Sequence, residues 1–177
     1  MSELTLRNRQ RARCVNLPLL RRVARALLTG RLRLKNHELG VHLVAAPEMT
    51  RLNERFLNHA GSTDVITFDY SGKVGQASCL SSKMRVKRQD RQDACPTLHG
   101  EIFICLDDAV AQARRFRTTW QSELVCYLVH GVLHLRGYDD RQPKFRRAMK
   151  REEDRLVREL ARLFPLSKLA RKPTVRP

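Results

Sequence analysis

Apolar residues along this chain recur with two periods, and together these predict nearly every element. From Glu3 to Arg7 polar and apolar positions alternate, the period of an edge-like strand with one covered face. Pro18 then opens a helix at a position proline tolerates. Leu19, Leu20, Val23, Ala26 and Leu27 share one face of it, Arg21, Arg22 and Arg25 the other, and Gly30 ends it. A strand follows over Leu39 to Ala45, and Pro47 opens a second helix through Met49, Leu52, Phe56 and Leu57. Gly61-Ser62-Thr63 announces a β-branched strand over Asp64 to Phe68, and Glu101 to Leu106 reads as another. Asp107 and Asp108 start a third helix, where acidic residues suit the helix dipole, and Arg114 and Arg115 close it. Thr118 or Thr119 caps a long fourth helix. Pro143 opens a fifth, with Phe145, Met149, Leu156 and Leu160 as its apolar stripe. This order predicts an α/β (α+β) fold, a small mixed four-stranded sheet packed by about five helices.

Two stretches break the periodicity. Residues 71–98 are polar and basic, through Lys83, Arg85, Lys87 and Arg88. They predict a long mobile insertion, because structureless loops of that length are uncommon inside compact domains. Past Pro165 the chain carries Lys168, Arg171, Lys172 and Arg176, which predicts a disordered basic tail over 166–177. The remainder, residues 1–165, is expected to form one domain.

Charge changes the picture more than size does. In 177 residues the hydrophobic fraction of 42% is ordinary, but the formal charge is +17 and the pI about 10.8. That balance favours a polyanionic partner, nucleic acid or an acidic membrane surface, although arginine-rich faces also occur simply as solvated surface. Arg7, Arg9, Arg11 and Arg13 stand at alternate positions, as a solvated arm or a phosphate contact. No apolar run reaches the roughly 18–20 residues of a membrane span. The N-terminus has no apolar signal core either, so the expectation is a cytoplasmic protein working near RNA or DNA, with no membrane partner. The five cysteines form no C-x-x-C pair, which predicts reduced thiols, Cys105 and Cys126 among them as core residues. Neither a G-x-G-x-x-G nor a Walker lysine motif is present, so no nucleotide cofactor is expected.

The chemistry concentrates in Val129-His130-Gly131-Val132-Leu133-His134-Leu135-Arg136-Gly137-Tyr138-Asp139-Asp140. His130 and His134 stand four residues apart on a helix, so both imidazoles share one face. Gly137 takes the left-handed conformation that ends a helix without steric cost, and the chain can then bring Asp140 back toward the histidines. Two imidazoles, one carboxylate and a position left to water form the ligand set of a catalytic zinc site. The spacing resembles that of zinc peptidases. Their general base, a glutamate after the first histidine, is Gly131 here.

Two separated segments resemble the YbeY family of single-strand-specific endoribonucleases. His130-Gly131-Val132-Leu133-His134-Leu135-Arg136-Gly137-Tyr138-Asp139 is similar to the family's H-G-x-L-H-L-x-G-Y-D-H signature. Leu52-Asn53-Glu54-Arg55-Phe56, running to Thr63-Asp64-Val65-Ile66-Thr67-Phe68, is similar to its L-N-x-x-Y-R and T-D-V-L-S-F stretch, and Gly100-Glu101-Ile102 sits where the family has G-D-I. The resemblance implies one zinc ion per chain, maturation of ribosomal RNA near the 3′ end of the small-subunit RNA, and contact with the small ribosomal subunit. It carries His130 and His134 over as metal ligands. The family's third histidine is Asp140 here, an acceptable oxygen ligand whose charge should leave the bound water less acidic.

A second departure is Leu57, which stands where the family has an arginine serving RNA binding or catalysis; Arg55 or Arg136 could substitute for it, and each could equally be a solvated surface residue. Asp64 and Asp139 are candidates for handling protons. Asp139 could equally orient a ligand histidine, and Asp64 could merely begin a strand. Water and the RNA 2′-hydroxyl are both open as nucleophile. Two rivals stand beside the nuclease. One is a zinc peptidase; the other is a non-catalytic RNA-binding assembly factor with a structural zinc, completed by a fourth ligand such as His59 or His99. His37 and His42 have no partner at ligand spacing.

Overall fold

Alternation along the strands decides which side of the sheet each helix covers. The computed structural model describes residues 2–71 and 97–171. Its elements run β1 (Ser2–Asn8), α1 (Leu17–Arg25), β2 (Asn36–Val44), α2 (Ala46–Leu57), β3 (Val65–Asp69), β4 (Thr97–Cys105), α3 (Leu106–Phe116), α4 (Trp120–Leu135) and α5 (Pro143–Leu163). The sheet order is β1-β2-β4-β3, with β1, β2 and β4 parallel and β3 antiparallel at the edge. This is the mixed four-stranded sheet with five helices that the periodicity predicts.

One face of the sheet carries Leu4, Leu39, Val41, Leu43, Leu98, Ile102 and Ile104, which join the main core with α1, α4 and α5. On the other face α2 lays Met49, Leu52 and Phe56 on Val44, Ile66, Phe68, Phe103 and Cys105. Polar residues share this face: His42 stacks on Phe103 and meets Glu101 at 3.1 Å, and His99 meets Glu38 at 3.5 Å.

Helix α4 is the centre of the molecule. Leu124, Val125, Tyr127, Leu128, Val129, Gly131, Val132, Leu133 and Leu135 are all buried, so apolar contact surrounds the helix on nearly every side. Thr119 caps it, its side chain accepting from the Ser122 amide at 3.2 Å. Gly137, at φ 84°, ends it: its N–H donates to the His134 carbonyl at 2.8 Å and that of Tyr138 to Leu133 at 3.0 Å. This double closure satisfies carbonyls that the helix end leaves open.

Three sequence expectations shift. The first helix does not run regularly to Gly30; after Arg25 it widens into a π-type turn over Ala26–Arg31, with Leu32 N–H bonding Leu27 C=O at 2.9 Å. The wide turn keeps Leu27, Leu28 and Leu32 all inside. Strand β4 starts at Thr97 and buries Leu98, so the end of the expected insertion belongs to the sheet; residues 72–96, including Cys79 and Cys95, lie outside the described residues. The tail expected to be disordered from 166 is packed through 171. Leu166 and Leu169 are buried on a 3₁₀ turn, Asn16 N–H bonds Leu169 C=O, and Arg171 N–H bonds Cys14 C=O. Two leucines spaced three apart give this segment an apolar anchor that its basic residues mask. Residues 172–177 lie outside the described part.

Gly131 marks the closest approach of α4 to the sheet, because a Cβ there would stand 2.8 Å from Ile102 Cγ2. Gly131→Ala should lower unfolding stability by about 1–2 kcal/mol in a urea titration, overpacking outweighing the gain in helix propensity. An unchanged midpoint would show that α4 can leave β4 at no cost.

Candidate metal centre

Beyond its first three residues, α4 leaves one stripe short of full burial: Glu123, Cys126, His130 and His134, at the spacing of one helical face. Helices α3 and α5 flank it and leave a groove of about 270 Å³ along Glu123, Cys126 and His130. Asp64, just before β3, and Asp140, in the loop after α4, reach the same groove.

The groove brings three donor atoms together. His130 Nε2 and His134 Nε2 lie 2.9 Å apart, and each is 3.9 Å from Asp140 Oδ2. A point equidistant from the three lies about 2.1 Å from each, the length of a Zn–N or Zn–O bond. Among the described residues no fourth histidine, cysteine or carboxylate joins this group. His59 is exposed and His99 is on the other face of the sheet, so neither supplies the fourth ligand of a structural site. His37 and His42 are buried on β2, away from the group.

The outer nitrogens fix the tautomers. His134 Nδ1 lies 3.1 Å from the Tyr138 carbonyl, which can only accept, so Nδ1 carries the proton and Nε2 the lone pair. His130 Nδ1 donates in the same way to Glu153 Oε2 at 2.8 Å. Two lone pairs facing each other at 2.9 Å need a cation between them, a proton or a metal. The donor set therefore fits zinc. Burial works to lower the basicity of His130, but the hydrogen bond and charge of Glu153 outweigh it and raise the pKa. Burial lowers that of His134, reinforced by positive charge on His130. Burial would raise Glu153, yet hydrogen bonds from His130 and Lys150 hold it down at about 2.

Glu153 is the functional residue that the sequence reading missed. Its signal was present: it stands four residues after Met149 and three before Leu156, inside the apolar stripe of α5. A carboxylate at a core position needs a partner, and a ligand histidine is such a partner. Tyr127 was also missed. Its hydroxyl is buried at the groove with no hydrogen-bond partner among the described residues, and burial pushes its pKa up.

The other predicted residues divide. Asp64 lines the groove, its Oδ1 accepting from the Val65 amide at 2.9 Å. Asp139 turns its Oδ1 to the Arg141 amide at 3.0 Å and shapes the ligand loop. Arg55 stacks on Phe56 at the end of α2, and Arg136 caps α4 where Glu152 feels its charge; neither lines the groove. Leu57 packs against the apolar cluster under α2. Arg146 does line the groove, its Nε donating to the Asp140 carbonyl at 2.8 Å. Gly131 is pressed on Ile102, which removes any room for the glutamate of a peptidase.

Metal binding at Nε2 must displace the proton that His130 holds, so affinity should fall on acidification, starting above the ordinary histidine range. Glu153→Gln should weaken metal binding by about 10- to 100-fold in a chelator competition at pH 8. It should also move the acid loss to lower pH. Unchanged affinity and pH profile would show that Glu153 does not orient His130.

The chain has relatives. A family model described as Endoribonuclease YbeY matches residues 5–161. The protein named Endoribonuclease YbeY from Chlorobium luteolum is 37% identical over 112 residues, 63% of this chain and 66% of its own length. That from Chlorobium phaeovibrioides is 34% identical over 62% of this chain and 60% of its own, so the chain spans somewhat less than two thirds of these two relatives. The one from Elusimicrobium minutum is 34% identical over 72% of this chain and 78% of its own length. The solution structure of TM1509 from Thermotoga maritima shares the fold at a TM-score of 0.57 and 22% identity, covering 98% of this chain and 100% of that one. With nearly the whole described domain matched and the histidine pair in place, the chain belongs to the endoribonuclease YbeY family.

Proposed function

We propose that this protein is a metal-dependent endoribonuclease that cuts single-stranded RNA with one zinc ion per chain. Its substrate is ribosomal RNA, in late maturation of the small-subunit 3′ end on the small ribosomal subunit in the cytoplasm, and it needs no nucleotide cofactor. One observation carries the reading: a three-donor group, His130, His134 and Asp140, of which His130 and Asp140 line a groove. The names of the relatives support it, as does the charge of +17, which favours a polyanionic substrate. None of the described helices is long and apolar enough to cross a membrane.

The protein's own groups divide the work. Glu153 and the Tyr138 carbonyl hold the two imidazoles so that both Nε2 lone pairs face Asp140. Bound there, zinc supplies an acidified water and a positive charge for a phosphoryl oxygen. Asp64 stands at the groove wall, where its carboxylate can take a proton from the attacking group. Asp139 keeps the ligand loop in register through Arg141.

His134→Ala, purified in parallel with the wild type, should lose cleavage of an end-labelled small-subunit precursor by more than about 100-fold, beyond the loss from an outer partner. RNA binding should persist. Equal cleavage by both proteins would assign the activity to a contaminant and end the proposal.

A further inference from the structure

A lone exposed phenylalanine is ordinary on a protein surface. Phe116 is not placed like one. It is 60% exposed at the end of α3, and it lines the groove that contains His130 and Asp140. The Arg115 guanidinium lies over its ring, 5.4 Å from the centroid. A ring with a cation beside it and much of its surface free is a stacking platform for a nucleobase. The opposite wall, α5, offers Arg146. Its Nε is committed to the Asp140 carbonyl, which holds the guanidinium beside the ligand loop and leaves its terminal nitrogens for an anion.

The neighbouring cation is less free. Lys150 is tied to Glu153 at 2.7 Å and Asp154 at 3.1 Å. Arg55 and Arg136 do not reach the groove. Arg146 is thus the guanidinium positioned to meet a phosphate next to the metal ligands.

We propose that the groove grips a nucleotide adjoining the scissile bond, with Phe116 stacking on its base and Arg146 holding its phosphate. This rests on the nuclease reading and names the contacts that would give it strand selectivity. A base stacks on Phe116 only after it leaves its own helical stack, so single strands are held and duplexes are not. The α3 wall reads the base face without reading its identity, and the α5 wall supplies charge. Because Leu57 is apolar and packed, Arg146 also gives this chain a phosphate contact that α2 does not provide.

The test is equilibrium binding of a fluorescent single-stranded RNA oligomer to the metal-free full chain, with cleavage by the zinc-loaded chain measured separately. Phe116→Ala should weaken binding by about 5- to 100-fold, and Phe116→Trp should restore it. The loss should vanish when the RNA carries abasic sites and should be absent for duplex RNA. Arg146→Ala should weaken binding to intact and abasic RNA alike and reduce the salt slope by about one; Arg146→Lys should restore the slope. Equal losses for Phe116→Ala on intact and abasic RNA would overturn the stacking contact, as would no loss on either. An unchanged salt slope in Arg146→Ala would overturn the phosphate contact. Melting curves matching the wild type exclude misfolding as the cause. Wild-type binding with this pattern but no cleavage would leave the grip standing and remove the nuclease reading; cleavage without the pattern would do the reverse.

Discussion

Everything in this molecule depends on the burial of one helix. Helix α4 lies so close to the sheet that position 131 has no room for a side chain against Ile102. Apolar residues cover the rest of its circumference. A helix held on nearly every side cannot rotate without exposing leucines and valines, at a cost of about 1.5–3 kcal/mol each. That rigidity gives the one uncovered stripe a fixed direction, and His130 and His134 occupy it. The same close approach excludes a peptidase glutamate, so packing and chemistry are decided at one residue.

The surroundings of the histidines extend that constraint outward. Gly137 closes the helix and turns the chain, the Tyr138 carbonyl accepts a hydrogen bond from His134 Nδ1, and Asp140 returns to the two Nε2 atoms. Glu153 comes from a separate helix, buried, held ionised by His130 and Lys150. Two groups, Glu153 and the Tyr138 carbonyl, therefore orient the two imidazoles, which lowers the reorganisation that metal binding would require. The groove is acidic beside these ligands, with Asp64, Glu123, Asp140 and Glu153 lining it, although the chain as a whole is strongly basic. Local charge favours a cation, while overall charge favours RNA.

The sheet contributes asymmetry. Its main-core face is covered by helices and carries the candidate metal donors of α4, whereas the other face holds the polar group of His42, Glu101 and His99 beside the α2 cluster. Leu57 packs against the apolar cluster of that second face. In this chain the guanidinium that lines the groove is Arg146 of α5.

Local information in the sequence determined what depends on neighbours along the chain. Alternation set the strands, the prolines and Thr119 set helix starts, and the His130–His134 spacing with Gly137 and Asp140 pointed to the candidate donor group. Each of these acts within about one helical turn or one strand pair, where geometry follows from spacing alone. Contacts between distant segments were decided by the tertiary structure. Glu153 stands in the apolar stripe of α5 but has no identified partner until α5 lies on α4, and the 166–171 segment reads as a basic tail until Leu169 meets Asn16. Arg55 and Arg136 read as RNA contacts by adjacency to the motifs, but the fold places both outside the groove and brings Phe116 and Arg146 to its walls. The physical reason is that helix packing, not sequence distance, determines which side chains share a cleft, and packing depends on the whole apolar surface at once.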